Sequence, residues 1–313
     1  MQSPVVSLHH VTATADDAQA DLDCYEGAFG LRLVKQTVNF DNHNVFHFYY
    51  GDERGTPGTI WTTFPYRGHG VRIGAKGAGQ ITATSLSVPA GSLDTWRSRL
   101  ADAGYTPLNL PARFGNEVIA VSDPSGLIIE LIAGAGDARA PWLAPGFDDA
   151  TAVRGIHGVT MTIRSPAATI AFMREQLGYD VIGDDGDRVR LAVAADTPGH
   201  LIDVVAAPDA AGAVNGLGTV HHVAMAVPTE DDQRRLREQL LRAGARVTEV
   251  LDRQYFKSIY FREPGGVLFE VATMGPGFAT DEPVAELGQS LKLPPWEEQH
   301  RAAIEAGLPR IRR

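Results

Sequence analysis

SLHHVTATA, at residues 7–15, returns in altered form as GIHGVTMTI at 155–163, and ITATSLSVP at 81–89 returns as VHHVAMAVP at 220–228. Each stretch alternates along the chain in the way of a strand with one buried face. Helix-like stretches ending in glycine follow the first pair: LDCYEGAFGLRLV (22–34) and IAFMREQLGYDVI (170–182). One offset of 148 residues separates His9 from His157 and Gly30 from Gly178. After the second pair, amphipathic helices close in Ala-Gly. There 140 residues separate Gly104 from Gly244, Arg113 from Arg253 and Glu130 from Glu270. DPSGLIIEL (123–131) and EPGGVLFEV (263–271) each hold a turn signal between two strands.

Four modules therefore follow one another, 1 like 3 and 2 like 4, each reading as strand, helix, then two or three strands. The fold class is α+β: four βαβββ modules in two tandem domains, with pairs of modules closing into cup-shaped mixed sheets. Residues 1–137 hold modules 1 and 2, and 154–275 hold modules 3 and 4. The Pro-rich stretch ARAPWLAPGFDDATAV (138–153) is the linker. From 276 to 313 the chain reads as an extended wrap ending in a helix. GAKGAGQ (74–80) has no helix start after its glycines, so it reads as a connector and not a phosphate cradle.

Composition narrows the function. The formal net charge is −10, which disfavours nucleic acid and anionic membranes as partners. The basic ending LPRIRR is short and reads as a solvated tail. No apolar run approaches the roughly 18 residues of a membrane span, and no leader opens the chain, so a soluble cytoplasmic protein is expected. A single cysteine, Cys24, excludes an internal disulfide framework and a thiolate metal cluster; it reads as a small helix-packing residue. A small-molecule substrate is what remains.

The repeats sharpen the search for chemistry. The second position of the His-His dipeptide is His10 in module 1, Ala83 in module 2, Gly158 in module 3 and His222 in module 4. The carboxylate closing the even modules is Glu130 or Glu270. If module 1 pairs with 4, one cup receives His10, His222 and Glu270, and the other has only Glu130. Two imidazoles and one carboxylate form the facial set that leaves open positions on Fe(II), although the same set can hold zinc. Alternation places His10 and Thr12 on one face and His9 on the other. His9 and His221 thus need a local twist, or a place at the cup edge, to reach the site. Arg253 and Tyr260 precede the Glu270 hairpin and can face the cup, while Arg113 has no evident task in the empty one. His47 reads equally as pocket wall or core; His43, His69 and His300 read as solvated, and His200 as a loop cap.

With the repeat and the ligand set identified, the chain resembles the ring-cleaving dioxygenases of the vicinal-oxygen-chelate (glyoxalase/bleomycin-resistance/extradiol-dioxygenase) superfamily, specifically the hydroquinone 1,2-dioxygenase branch. SLHHVTA, FHFYYGDERGTPGTIWTTFP, VHHVAMAVP, DRQYFKSIYFREPGGVLFEVAT and LGQSLKLPP carry the resemblance over nearly the whole chain. The catechol-cleaving relatives keep all three ligands in the C-terminal half, whereas here His10 is N-terminal. The resemblance implies an Fe(II) centre on His10, His222 and Glu270, with Mn(II) or Zn(II) as alternatives. It implies that His221, Tyr260 and Arg253 act in catalysis and that Thr12 and His9 contact substrate. Its partners would be a small aromatic substrate and O₂, with a homo-oligomer left open. Two rivals share the fold: a glyoxalase-type isomerase or lyase that uses no O₂, and a metal-free sequestering protein.

Overall fold

The computed structural model describes residues 3–134 and 136–312. Arg313, which ends the basic tail, lies outside them. Each module has one helix followed by three strands. Module 1 comprises β1 (Ser7–Ala15), α1 (Ala18–Leu22, continued by a π-turn over Asp23–Ala28), β2 (Arg32–Asn39), β3 (Asn42–Gly51) and β4 (Ile60–Pro65). Module 2 comprises β5 (Gln80–Pro89), α2 (Leu93–Asp102), β6 (Leu108–Arg113), β7 (Asn116–Ser122) and β8 (Ile128–Gly134). Module 3 comprises β9 (Gly155–Ile163), α3 (Pro166–Leu177), β10 (Tyr179–Asp185), β11 (Arg188–Val193) and β12 (Leu201–Ala206). Module 4 comprises β13 (Thr219–Val227), α4 (Glu230–Arg242), β14 (Leu251–Asp252), β15 (Phe256–Arg262) and β16 (Leu268–Pro276).

Local chemistry sets the helix ends. Asp17 caps α1 by accepting from the Ala20 N–H, and Thr229 caps α4 by accepting from Asp232 N–H. Gly178 ends α3 in the left-handed region at φ 74°, where a side chain would be strained.

The strands form two sheets of eight. One runs β14-β15-β16-β13-β1-β4-β3-β2 and the other β10-β11-β12-β9-β5-β8-β7-β6. Module 1 thus pairs with 4, and 2 with 3, through antiparallel seams β1–β13 and β5–β9. Outward from either seam the strands follow the same order, so each sheet is built on a pseudo-two-fold axis.

Both seams are bulged. Along β1–β13 the register slips between Leu8 and His10 and between Thr12 and Ala13. The first slip leaves His9 as the extra residue on β1, and the second leaves His221 as the extra residue on β13. Along β5–β9 the matching extra residues are Thr82 and His157. A bulge redirects side chains that simple alternation would send to opposite faces.

The main core is continuous between the two sheets and their helices. It contains Trp61, Trp96, Phe29, Met161 and Phe269, all at most 1% exposed. Cys24 is buried in it. The C-terminal segment wraps the outer strands of module 1. Lys35, a buried residue of β2, pairs with Asp281 and Glu282 at 2.6 and 2.5 Å. Leu291 bridges to Gln36, and Ile304 of α5 (Arg301–Gly307) packs with Val38 and Leu293. Among the described residues no helix is long and apolar enough to cross a membrane.

Candidate functional site

His10 on β1, His222 on β13 and Glu270 on β16 face one another across the seam of the first sheet. Their Nε2 and carboxylate atoms lie within 4.8 Å of one another, and all three residues are buried. Glu270 Oε2 is 2.8 Å from His222 Nε2 and 3.3 Å from His10 Nε2, and the two Nε2 atoms are 3.2 Å apart. The strand register produces this arrangement: Thr12 lies opposite His222, His10 opposite Ala224, and Ala224 beside Glu270.

The two His-His dipeptides behave alike. His9 Nδ1 is 2.8 Å from His10 Nδ1, and His221 Nδ1 is 2.8 Å from His222 Nδ1. The bulged histidine thereby takes the Nδ1 of its neighbour and leaves Nε2 facing inward. Hydrogen bonding of this kind orients and fixes the tautomer of a metal-binding imidazole. Burial, reinforced by the His10 charge, lowers the pKa of His9 to about 3, so His9 is neutral. It lies against Phe256, with ring centroids 4.9 Å apart, behind His10 and outside the cavity lining. His221 instead lines the cavity.

The donor set fits a divalent cation. Ligand atoms about 2.1 Å from one ion and at right angles to each other would be about 3.0 Å apart, close to the observed separations. Glu270 Oε1 accepts from the Ser258 hydroxyl, which leaves Oε2 aimed between the imidazoles. Burial pushes the Glu270 pKa up, but the facing His10 and His222 outweigh it and hold the carboxyl well below its ordinary range.

The open side of the triad is a cavity of about 230 Å³. Its inner wall carries His10, His222, Glu270 and Thr12, and its sides carry the rings of His47, Tyr49, Phe64 and Phe256. Tyr260 lies opposite Glu270 on β15, with its ring 5.6 Å from that of His222. Burial, with the Glu270 charge added, raises the Tyr260 pKa, so the phenol stays protonated. Arg253 Nε donates to Tyr260 Oη at 3.3 Å, and its guanidinium reaches Asp41 at 3.2 Å. Asp41, Phe40 and Asn39, at the β2–β3 turn, form the rim with Tyr66, whose hydroxyl accepts from Asn39 Nδ2 at 2.8 Å.

Several residues were not evident from sequence. Thr62, Tyr49, Phe256 and the β2–β3 turn carry no motif. His47, which read equally as pocket wall or core, is a wall residue. Of the histidines expected to be solvated, His43 pairs with Glu297 at 3.4 Å, while His69 and His300 are exposed. His200 Nδ1 meets the Val193 carbonyl at 2.9 Å.

The second sheet corrects one expectation: Arg113 does have a task. Its two terminal nitrogens bind the Glu130 carboxylate at 2.6 and 2.7 Å, and Ser85 donates to the same carboxylate at 2.6 Å. Where the first cup has three converging ligand atoms, this one has a satisfied bidentate ion pair. Nearby, Arg190 forms a second such pair with Asp203, both of them buried.

Comparisons with known proteins agree with this architecture. The sequence profile of the Glyoxalase/Bleomycin resistance protein/Dioxygenase superfamily matches residues 7–131 and 155–271. MhqE of Bacillus subtilis, provisionally named a ring-cleaving dioxygenase, is 43% identical over 97% of this chain and 98% of its own. The chlorohydroquinone/hydroquinone 1,2-dioxygenase of Sphingobium indicum is 37% identical over 95% of each chain. A crystal structure of a protein from Bacillus subtilis, provisionally described as a dioxygenase, superposes with a TM-score of 0.94 at 38% identity, covering 100% of this chain and 99% of that one. The chain belongs to the glyoxalase/bleomycin resistance protein/dioxygenase superfamily.

Proposed function

We propose that the protein is an Fe(II)-dependent ring-cleaving dioxygenase that opens a substituted hydroquinone with O₂. The observation that carries this reading is the convergence of His10, His222 and Glu270 on the inner wall of a small cavity with aromatic sides. At about 230 Å³ the cavity is smaller than the roughly 300–1,000 Å³ of sites for drug-sized ligands, which suits one ring with small substituents. The 37% identity to a chlorohydroquinone/hydroquinone 1,2-dioxygenase supports the same substrate class.

Iron bound by the three side chains would supply the electron transfer between ring and dioxygen that a closed-shell metal cannot. The remaining chemistry belongs to the chain. Phe64, Phe256 and Tyr49 hold the ring in an apolar slot. Tyr260, protonated and oriented by Arg253, is placed to hydrogen-bond a ring hydroxyl or return its proton, and His221, whose Nδ1 is taken by His222, presents its Nε2–H to a ring oxygen at the mouth. Arg253 adds a fixed positive charge that favours an ionised phenol. The overall change balances without a further reductant: hydroquinone plus O₂ gives a ring-opened acid-aldehyde containing both oxygen atoms.

An oxygen-electrode screen of the iron-loaded protein tests this. Uptake is expected with hydroquinone and its chloro or methyl derivatives and not with catechols. Uptake on catechols alone would overturn the substrate class. Conversion of a glutathione hemithioacetal under nitrogen, without oxygen uptake on any dihydroxybenzene, would overturn the dioxygenase reading.

A further inference from the structure

Three polar groups form a chain along the cup wall. The Thr62 hydroxyl donates to Thr12 Oγ1 at 2.9 Å, and His47 Nε2 lies 2.9 Å from Thr62 Oγ1. Thr62 has a single hydroxyl hydrogen. Since Thr12 receives it, Thr62 is the acceptor at His47, and His47 must carry its proton on Nε2. His47 is held in that orientation between Tyr49 and Phe64, with ring centroids 3.9 and 4.1 Å away. The direction of the chain is thereby set: His47 N–H to Thr62 O–H to Thr12. Thr12 accepts, so its own hydrogen is left to donate. Among the described residues no protein acceptor meets it, and Thr12 borders the cavity directly across the seam from His222.

We propose that Thr62 and His47 are positioning residues that fix the Thr12 hydroxyl as a donor into the cavity, toward the anionic oxygen of a bound phenolate. The inference rests on the hydroquinone reading above. A chain of aligned hydrogen bonds in a buried site polarises its last donor. Deprived of Thr62, the Thr12 hydroxyl can rotate and offer a lone pair instead. The threonine pair cannot be told apart by sequence, but only Thr62 turns this way. Thr63 points to the other face, where it donates to Asp21.

The test is a double-mutant cycle read by calorimetric binding of chlorohydroquinone to the zinc-loaded protein under nitrogen, with metal content measured on every variant. Thr12→Val should weaken binding about tenfold, the order expected for one hydrogen bond to a charged acceptor. Thr62→Val, which keeps the shape but not the hydroxyl, should weaken it by about three- to tenfold, and Thr62→Ser should restore it. The double variant Thr12→Val/Thr62→Val should bind no more weakly than Thr12→Val alone. Nitrogen-15 NMR of the zinc-loaded protein should show His47 neutral with its proton on Nε2, a preference lost in Thr62→Val. Additive losses, failure of serine to restore binding, loss of metal from Thr62→Val, or an Nδ1-protonated His47 would each overturn the inference. If the wild-type protein binds no hydroquinone, the functional reading falls first and takes the inference with it; additive losses in a protein that does bind would sink the inference alone.

Discussion

Asp21 of α1 offers a quantitative test of how the back of the site sheet is held. Its side chain is buried, with Oδ2 accepting from the Tyr50 and Thr63 hydroxyls at 2.7 and 2.6 Å and Oδ1 without a partner among the described residues. Burial raises its pKa from 3.8 to about 7 against those two hydrogen bonds, so the folded protein holds a neutral carboxyl where the unfolded chain is ionised. Because the folded state binds the extra proton between those values, stability falls as pH rises through that window and levels off above about 7. Roughly three pKa units at 1.36 kcal/mol each give a loss of about 4 kcal/mol between pH 4 and pH 8. Asp21→Asn keeps the acceptor for both hydroxyls and removes the titration. Its buried amide adds a pH-independent cost of about 1–3 kcal/mol. Urea unfolding of metal-free wild type and variant from pH 4 to 8 should therefore show the variant less stable at the acid end. It should gain about 4 kcal/mol on wild type by pH 8. Parallel stability curves would mean that Asp21 is ionised in the folded protein and would refute the reasoning.

Glu270→Ala should abolish metal binding, whereas Glu130→Ala should leave one metal per chain. It should cost about 3–5 kcal/mol in unfolding, because Arg113 is left partly buried and unpaired. Two tight metals per chain by elemental analysis would sink the distinction between the cups. Tyr260→Phe should retain metal and slow turnover by about 10²-fold in steady-state kinetics, and unchanged turnover would make the phenol structural. Lys35→Met, which leaves buried Glu282 with only Lys292 at 3.6 Å and the Gly288 N–H, should cost about 1–3 kcal/mol and expose residues 277–300 to limited proteolysis.

The repeat offsets made most of the fold legible in the sequence, because module equivalence survives where residue identity does not. In the sequence the pairing of module 1 with 4 was a condition, under which two imidazoles and a carboxylate meet; the strand order establishes it. The structure does bring His10, His222 and Glu270 together. Alternation set His9 and His221 off the cavity unless a local twist intervened; each is the extra residue of a bulge, yet only His221 reaches the lining while His9 stays behind His10. Nothing in a threonine pair tells which hydroxyl meets Thr12, so Thr62 was invisible without the β1–β4 register. The partner of Arg113 was equally hidden. Its equivalent Arg253 binds Tyr260 and Asp41, whereas Arg113 neutralises Glu130.

In the proposed reaction, one His10–His222–Glu270 centre couples dioxygen to ring opening. The most direct test is a single turnover of the iron-loaded protein with a hydroquinone and isotopically heavy dioxygen, followed by mass spectrometry of the rapidly quenched, chemically trapped product. The account predicts one O₂ consumed per ring and a ring-opened product carrying both heavy atoms, with none formed by the zinc-loaded protein or by Glu270→Ala. A benzoquinone as the product with the label in water, or equal conversion by the Glu270→Ala variant, would contradict it.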